Sequence, residues 1–309
     1  MSPLRHHTLA SGPALRRENG QAVVFSLLFL TVILGVAGLV IDVGSWLHSD
    51  RQAQATADAA ALAGAQALPD DPAQGTALAS TYASKNGGGL NKTAITTKLL
   101  PNDTIQVTIK RQAPSFFTKI LGISSVQVGA VAAARASTLA QAKYVAPIVV
   151  KNTHPKLSCL CFGPANTTTI PLDKQGAPGA FGLLNLDNQK GGSGPPVLAD
   201  WILNGYQDFL PLGDYYSDPG AKFNSSQVDS ALTARIGTVL LFPVFDTLNG
   251  DGANAQYHII GWAGFHLTGF SAQGNDGTVS GYFSSVVWTG IAATTTQPFF
   301  GIKGVSLVE

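Results

Sequence analysis

Hydrophobic residues are unevenly distributed along the chain, and the longest uninterrupted apolar stretch lies near its start. Residues 22–41 (AVVFSLLFLTVILGVAGLVI) contain no charged side chain, and only Ser26 and Thr31 are polar. A helix of this length spans about 30 Å, the thickness of the hydrocarbon core of a bilayer. The pattern therefore predicts a transmembrane helix from Ala22 to Ile41. A cleaved secretory signal, whose apolar region is usually shorter, and a buried core helix are the alternatives.

The helix is predicted to continue beyond the membrane. Residues 42–68 contain no proline, and nine of the fifteen residues from Ala53 to Ala67 are alanine. Alanine is the strongest helix former, whereas Pro69 is expected to end the helix. We therefore predict one continuous helix over residues 22–68, with its first part in lipid.

Small and polar residues line one face of the predicted membrane helix. Thr31, Gly35, Gly38 and Asp42 follow one another at spacings of three or four, which places them on the same face. Such seams allow membrane helices to approach closely, so the pattern predicts helix packing. The alternative is a helix that only anchors the chain, because small residues are common in membrane helices.

The next part of the sequence predicts a small α+β domain, which together with the helical extension covers residues 42–142. An acidic residue followed by proline begins a short helix over 72–85, and a run of glycines ends it. Strands are predicted at 93–100, 104–110 and 126–134, and Ile105, Val107 and Ile109 alternate strictly in the second of them. A long helix followed by a few strands is typical of a helix that covers an antiparallel sheet.

Residues 143–309 are predicted to form a mainly β, sandwich-like domain of unknown role. Turn residues recur between long aromatic and β-branched segments, which favours strands. Two helices are expected within it, at 196–204 and 227–236. The predicted fold class is thus a membrane-anchored α+β protein with a mainly β C-terminal domain.

Charge defines the expected partners and orientation. The chain has 19 Lys and Arg against 18 Asp and Glu, so it has no basic surface to bind nucleic acid. Arg5, Arg16 and Arg17 precede the apolar run, whereas Arg51 is the only basic residue within ten residues after it, where Asp42 and Asp50 also lie. The positive-inside rule then places residues 1–21 in the cytoplasm and the body outside, with the lipid bilayer as one partner.

Two motifs stand at a characteristic separation in this region. An apolar helix led by Gly20 continues into Asp42-Val43-Gly44, and an alanine-rich run follows that includes Asp58, Ala59, Ala60 and Ala61. About the first 70 residues resemble the N-terminal region of TadE/TadG-like proteins of the Flp (tight adherence) pilus-assembly system. The segment 114–136 is similar to one that often follows in this family.

The resemblance implies a non-enzymatic, single-pass protein of the bacterial cytoplasmic membrane that needs no cofactor. It implies other envelope proteins of a pilus or secretion system as partners. Pilins of related systems are cleaved after a glycine and carry a glutamate five residues later, where this chain has Phe25 after Gly20. We therefore expect an uncleaved anchor, with cleavage after Gly20 as the alternative.

Cys159 and Cys161 are the only cysteines of the chain. Outside the cytoplasm an even number favours pairing, but two residues of a strand at this spacing lie near the upper limit for a disulfide. A local disulfide would therefore need a turn. Free or structural thiols remain an alternative, and a metal site is disfavoured because further ligands are missing.

The rival functional hypothesis is an anchored glycan-binding module or glycan hydrolase that uses the C-terminal domain. Carboxylates and aromatic side chains cluster there, as in a sugar-binding cleft. These residues are Asp200, Trp201, Tyr206, Asp208, Asp214, Tyr215, Tyr216 and Asp218. Packing and turn formation explain most such clusters, so we predict neither catalytic nor metal-binding residues.

Overall fold

The computed structural model describes residues 19–172, 180–220, 222–272 and 277–308. It confirms the predicted α+β organisation, with a long N-terminal helix and a β-rich C-terminal region. Most of the predicted cytoplasmic segment 1–21 lies outside the described residues.

Five α-helices and fifteen strands lie within the described residues. The α-helices are α1 (Asn19–Ala65), α2 (Pro72–Lys85), α3 (Pro155–Ser158), α4 (Pro195–Asn204) and α5 (Ser226–Arg235). The strands are β1 (Leu90–Thr96), β2 (Thr104–Pro114), β3 (Ser125–Ser137), β4 (Leu139–Ala142), β5 (Val150–Lys151), β6 (Thr168–Pro171), β7 (Ala180–Leu184), β8 (Leu210–Pro211), β9 (Gly213–Pro219), β10 (Val239–Asn249), β11 (Gln256–Ser271), β12 (Thr278–Ser284), β13 (Val286–Val287), β14 (Gly290–Ala292) and β15 (Ile302–Val308).

The chain forms two compact units, and each combines separate stretches of sequence. Of the described residues, the first contains those in 19–53 and 110–129, and the second contains those in 54–109 and 130–308. This division differs from the predicted domain boundary at residue 142. The reason is the last strand, because β15 pairs antiparallel with β3 from Gly304 opposite Ser137 to Val308 opposite Ala133.

Helix α1 is continuous over 47 residues, or about 70 Å. It contains a segment long and apolar enough to cross a membrane. The helix ends three residues before the predicted Leu68. The amides of Gln66, Ala67 and Leu68 donate to carbonyls three residues back, so the chain tightens into turns there.

In the second unit, the alanine-rich end of α1 packs against α2 and a five-stranded sheet of order β1-β2-β3-β15-β13. Ala57, Ala60 and the sheet residue Ile105 are completely buried. A Cβ atom at Gly64 would lie 2.6 Å from the Ile105 side chain and 2.9 Å from the Gly75 carbonyl. Small side chains therefore permit a helix spacing that larger residues would prevent.

The remaining core of this unit is formed by a larger sheet of order β5-β10-β11-β12-β6, in which β9 also pairs with β11. Its buried aromatic rings contact one another. Phe242 stacks on Phe265 at 5.1 Å between centroids, and Phe283 meets Phe265 edge-on at 5.2 Å. Helices α4 and α5 pack together, and both begin one residue before their predicted starts.

The predicted turn before β2 is organised by Asp103. Its buried carboxylate accepts hydrogen bonds from the amides of Lys98 (2.9 Å), Leu99 (2.7 Å) and Leu100 (2.9 Å) and from the hydroxyl of Thr104 (2.7 Å). Strand β1 therefore ends at Thr96 instead of the predicted residue 100. The amides that a longer strand would use are bound to this side chain.

Glycine-to-alanine substitutions in α1 test its packing, because Gly64 lies against neighbouring elements whereas Gly44 has open space around it. Gly64→Ala should destabilise the chain by about 1–3 kcal/mol, since its Cβ would overlap α2 and β2. Gly44→Ala is the matched control, because a Cβ there meets no atom within 4 Å. It should stabilise the helix by about 0.5–1 kcal/mol. Thermal unfolding of the full chain in detergent measures both, and equal effects would contradict the packing.

The carboxylate of Asp103 should make the free energy of unfolding depend on pH in the acidic range. Burial raises the pKa of Asp103, but hydrogen bonds from Leu100, Leu99, Thr104 and Lys98 outweigh it and hold that pKa below its ordinary value. Its stabilisation is therefore complete above the unfolded-state pKa of about 3.9 and is lost as the pH falls towards the folded-state value. Asp103→Asn should lower the unfolding temperature at pH 7. Between pH 7 and pH 3, the unfolding temperature of this variant should decrease less than that of the unchanged chain. The exposed Asp251→Asn should leave both nearly unchanged.

Candidate functional site

In the first unit, a cluster of hydrogen bonds surrounds the carboxylate of Asp42, one residue beyond the apolar run. Its buried carboxylate accepts hydrogen bonds from the successive amides of Phe116 (2.8 Å), Phe117 (3.0 Å) and Thr118 (2.6 Å). The Thr118 hydroxyl donates a further bond of 2.7 Å. One side chain of α1 therefore binds a segment more than 70 positions away in the sequence.

The bound segment is the turn between β2 and β3, and residues 116–123 are named the hairpin tip. A short 3₁₀-helix, Thr118–Leu121, begins there. The first amides of a helix have no partner within it, and the Asp42 carboxylate supplies one. The helix ends at Gly122, whose φ of +85° lies in the left-handed region that glycine adopts without strain.

One helical turn before Asp42, a glycine makes room for an aromatic ring of the hairpin tip. A Cβ atom at Gly38 would lie 2.7 Å from Cγ of Phe117. Any side chain larger than hydrogen would therefore displace this ring. Gly38 and Asp42 together fit the tip to the helix through shape and hydrogen bonding.

Two residues of the predicted small-residue seam, Gly38 and Asp42, thus have contacts within the chain. The Thr31 hydroxyl donates to the Leu27 carbonyl of its own helix at 2.8 Å. Gly35 has open space where a Cβ would stand, as have Gly20 and Gly44. Packing against another membrane helix stays a prediction, and Gly35 is the seam position with space for it.

The alanine-rich motif lies partly in the core of the second unit. Ala60 and Ala61 are completely buried, whereas Asp58 and Ala59 are half-buried. The Asp58 carboxylate accepts a hydrogen bond from the side-chain Nε2 of Gln54, on the same helix, at 2.7 Å. The contacts of these residues are packing contacts and one hydrogen bond along the helix.

An apolar groove of about 850 Å³ lies between α1 and the hairpin tip. Its helix wall extends from Thr31 to Ile41, and Phe117, Ile120 and Leu121 form the opposite wall. Sequence reasoning missed this contact between helix and tip. Two pairs of adjacent apolar residues in a turn between strands, Phe116-Phe117 and Ile120-Leu121, were the available signal.

Cys159 and Cys161 form a disulfide in the structure, with Cα atoms 5.2 Å apart. They follow α3 in a turn where Leu160 has a φ of +51°. This turn brings the two Cα atoms closer than an extended strand would. A disulfide between Cys159 and Cys161 was expected to need such a turn, and the structure contains one.

Two of the carboxylates proposed for a sugar-binding cleft have local partners in the second unit. Asp214 contacts His258 at 2.8 Å, and Asp218 pairs with Lys222 and accepts from the Ser193 amide. Burial raises the pKa of Asp218 despite these partners. Within the described ranges, no group of three or more His, Cys, Asp and Glu side chains could hold a metal ion. The glycan hypothesis stays a prediction.

Comparison with known proteins bears on the same region of the chain. Residues 20–67 match the family model described as putative Flp pilus-assembly TadE/G-like. The match includes Gly38, Asp42 and the alanine-rich motif, and it ends before the hairpin tip. Neither a curated protein nor a solved structure matches the chain. The predicted resemblance is therefore confirmed for the N-terminal region, which is similar to TadE/G-like components of Flp pilus assembly.

Proposed function

We propose that this chain is a non-enzymatic, single-pass envelope component of a Flp-type pilus-assembly system. Residues 22–41 anchor it in the bacterial cytoplasmic membrane, with the N-terminus inside and the body outside. The match over residues 20–67 is the observation that carries the proposal. The apolar helix, which is long enough to cross a membrane, supports the anchoring.

The role of Asp42 in this proposal is to lock the hairpin tip onto α1 where the helix leaves the membrane. Burying a carboxylate is costly unless hydrogen bonds satisfy it. Here three amides and one hydroxyl provide them. The tip then holds a fixed position on α1 at the membrane boundary, and the chain acts on other envelope proteins of the apparatus through contact alone.

Substituting Asp42 tests the lock. Asp42→Ala leaves three amides without their acceptor, and a hydrogen bond to a charged group contributes about 1.5–3 kcal/mol. We expect hydrogen exchange at the amides of Phe116, Phe117 and Thr118 to accelerate at least tenfold. In the producing bacterium, surface pili should be lost while the chain remains in the membrane at its normal level.

Asp50→Ala is the matched control, because Asp50 is an exposed acidic residue of the same helix. It should change neither the exchange rates nor the pili. Normal pili in cells that lack the whole chain would contradict the assembly role. Unchanged exchange in Asp42→Ala would contradict the lock independently of that role.

The orientation is tested with reporter fusions. Three arginines precede the apolar run, and the positive-inside rule holds them in the cytoplasm. An export-dependent phosphatase fused after Glu309 should therefore be active, and a cytoplasm-dependent reporter at the same position should be inactive. The same fusions to a chain without residues 22–41 should show the reverse pattern. Cytoplasmic activity of the full-length fusion would overturn the orientation.

A further inference from the structure

The hairpin tip displays large apolar side chains outwards. Phe116 is 61% exposed, Ile120 is 86% exposed and Leu121 is 79% exposed. Adjacent apolar side chains with such exposure are uncommon on surfaces that face water and mark a contact with a partner or a membrane. The position of the tip relative to α1 distinguishes these two.

The tip lies beside the apolar part of the helix. Phe117 packs against Gly38, which precedes the end of the apolar run at Ile41 by three residues, or about 4.5 Å. The groove between helix and tip extends from Ile41 to Thr31, about 15 Å along the helix axis. If residues 22–41 lie in hydrocarbon, the groove and the tip beside it lie at the same depth.

The backbone of the tip is suited to a lipid environment because six of its eight amides have partners within the protein. Asp42 binds the amides of residues 116–118. The amides of Ile120, Gly122 and Ile123 donate to carbonyls of the tip itself. A non-helical segment enters a membrane only when such internal bonds replace water.

The charge pattern of the tip agrees with this location. Lys119 is the only charged residue between Pro114 and Ser125. A lysine can place its apolar stem along hydrocarbon while its ammonium group reaches the lipid headgroups.

We propose that the hairpin tip is a second membrane-embedded element, whose apolar side chains enter the leaflet from which α1 emerges at Asp42. Lipid acyl chains fill the groove between the tip and residues 31–41. The inference rests on the membrane anchoring of the proposed function. It adds a re-entrant contact to a chain that crosses the membrane once.

Fluorescence quenching in vesicles tests the tip directly. Full-length chain with Cys159→Ser and Cys161→Ser receives one new cysteine, at Ile120, Leu34 or Ala234, labelled with an environment-sensitive dye. The variants are reconstituted at a high lipid-to-protein ratio into phosphatidylcholine vesicles with brominated acyl chains. Ile120→Cys should be quenched at least half as strongly as Leu34→Cys in the apolar run. Ala234→Cys, at an exposed position of α5, should not be quenched.

The outcomes separate the two proposals. Quenching at position 34 without quenching at 120 overturns the embedded tip and leaves the anchor intact, whereas no quenching at 34 overturns both. Leu121→Cys repeats the measurement at a second tip position if the Ile120 variant does not fold. Crosslinking of the tip to a membrane protein in native membranes, without lipid quenching, would identify a protein in the groove and overturn the lipid assignment.

Discussion

The first unit depends on a carboxylate that meets the unpaired amides of a distant turn. Asp42 stands at the end of an apolar helix, where an isolated acidic side chain would be costly to bury. The turn at Phe116–Thr118 has successive amides that its own short helix cannot satisfy. The carboxylate therefore supplies the acceptors that the amides lack, and the amides supply the donors that the buried carboxylate needs. These hydrogen bonds attach a β-hairpin to the apolar part of α1, where the large hydrophobic side chains between Val23 and Ile41 are exposed.

Glycine has a related role in both units, because it removes the volume that would keep two elements apart. Gly38 admits the Phe117 ring, and Gly64 admits Ile105 and the backbone of α2. Both are helical positions at which glycine lowers intrinsic helix stability. The loss is offset by contacts that an alanine would obstruct. Small residues along α1 thus serve packing within this chain at these two positions.

Long-range pairing governs the second unit. The last strand, β15, joins the sheet that begins just after α2, and Lys303 on it is almost completely buried. Its ammonium group lies 2.7 Å from the Asp70 carboxylate, in the turn that follows α1. A buried lysine needs such a partner. The C-terminal strand is therefore part of the sheet of residues 90–137, and the predicted division at residue 142 could not anticipate this pairing.

Local patterns in the sequence determined the elements whose causes are themselves local. The apolar run, the alanine-rich extension, and the proline and glycine signals around residues 72–85 predicted α1 and α2, because length, propensity and capping act within a few residues. The motifs that begin at Gly20, at Asp42 and at Ala57 also indicated the resemblance to TadE/TadG-like proteins. Only the tertiary structure decided that Asp42 binds residues 116–118, that Gly38 contacts Phe117 instead of standing free, and that β15 pairs with β3. Each of these contacts joins residues more than 70 positions apart. The hydrophobic pattern within one segment does not identify the distant segment that it contacts.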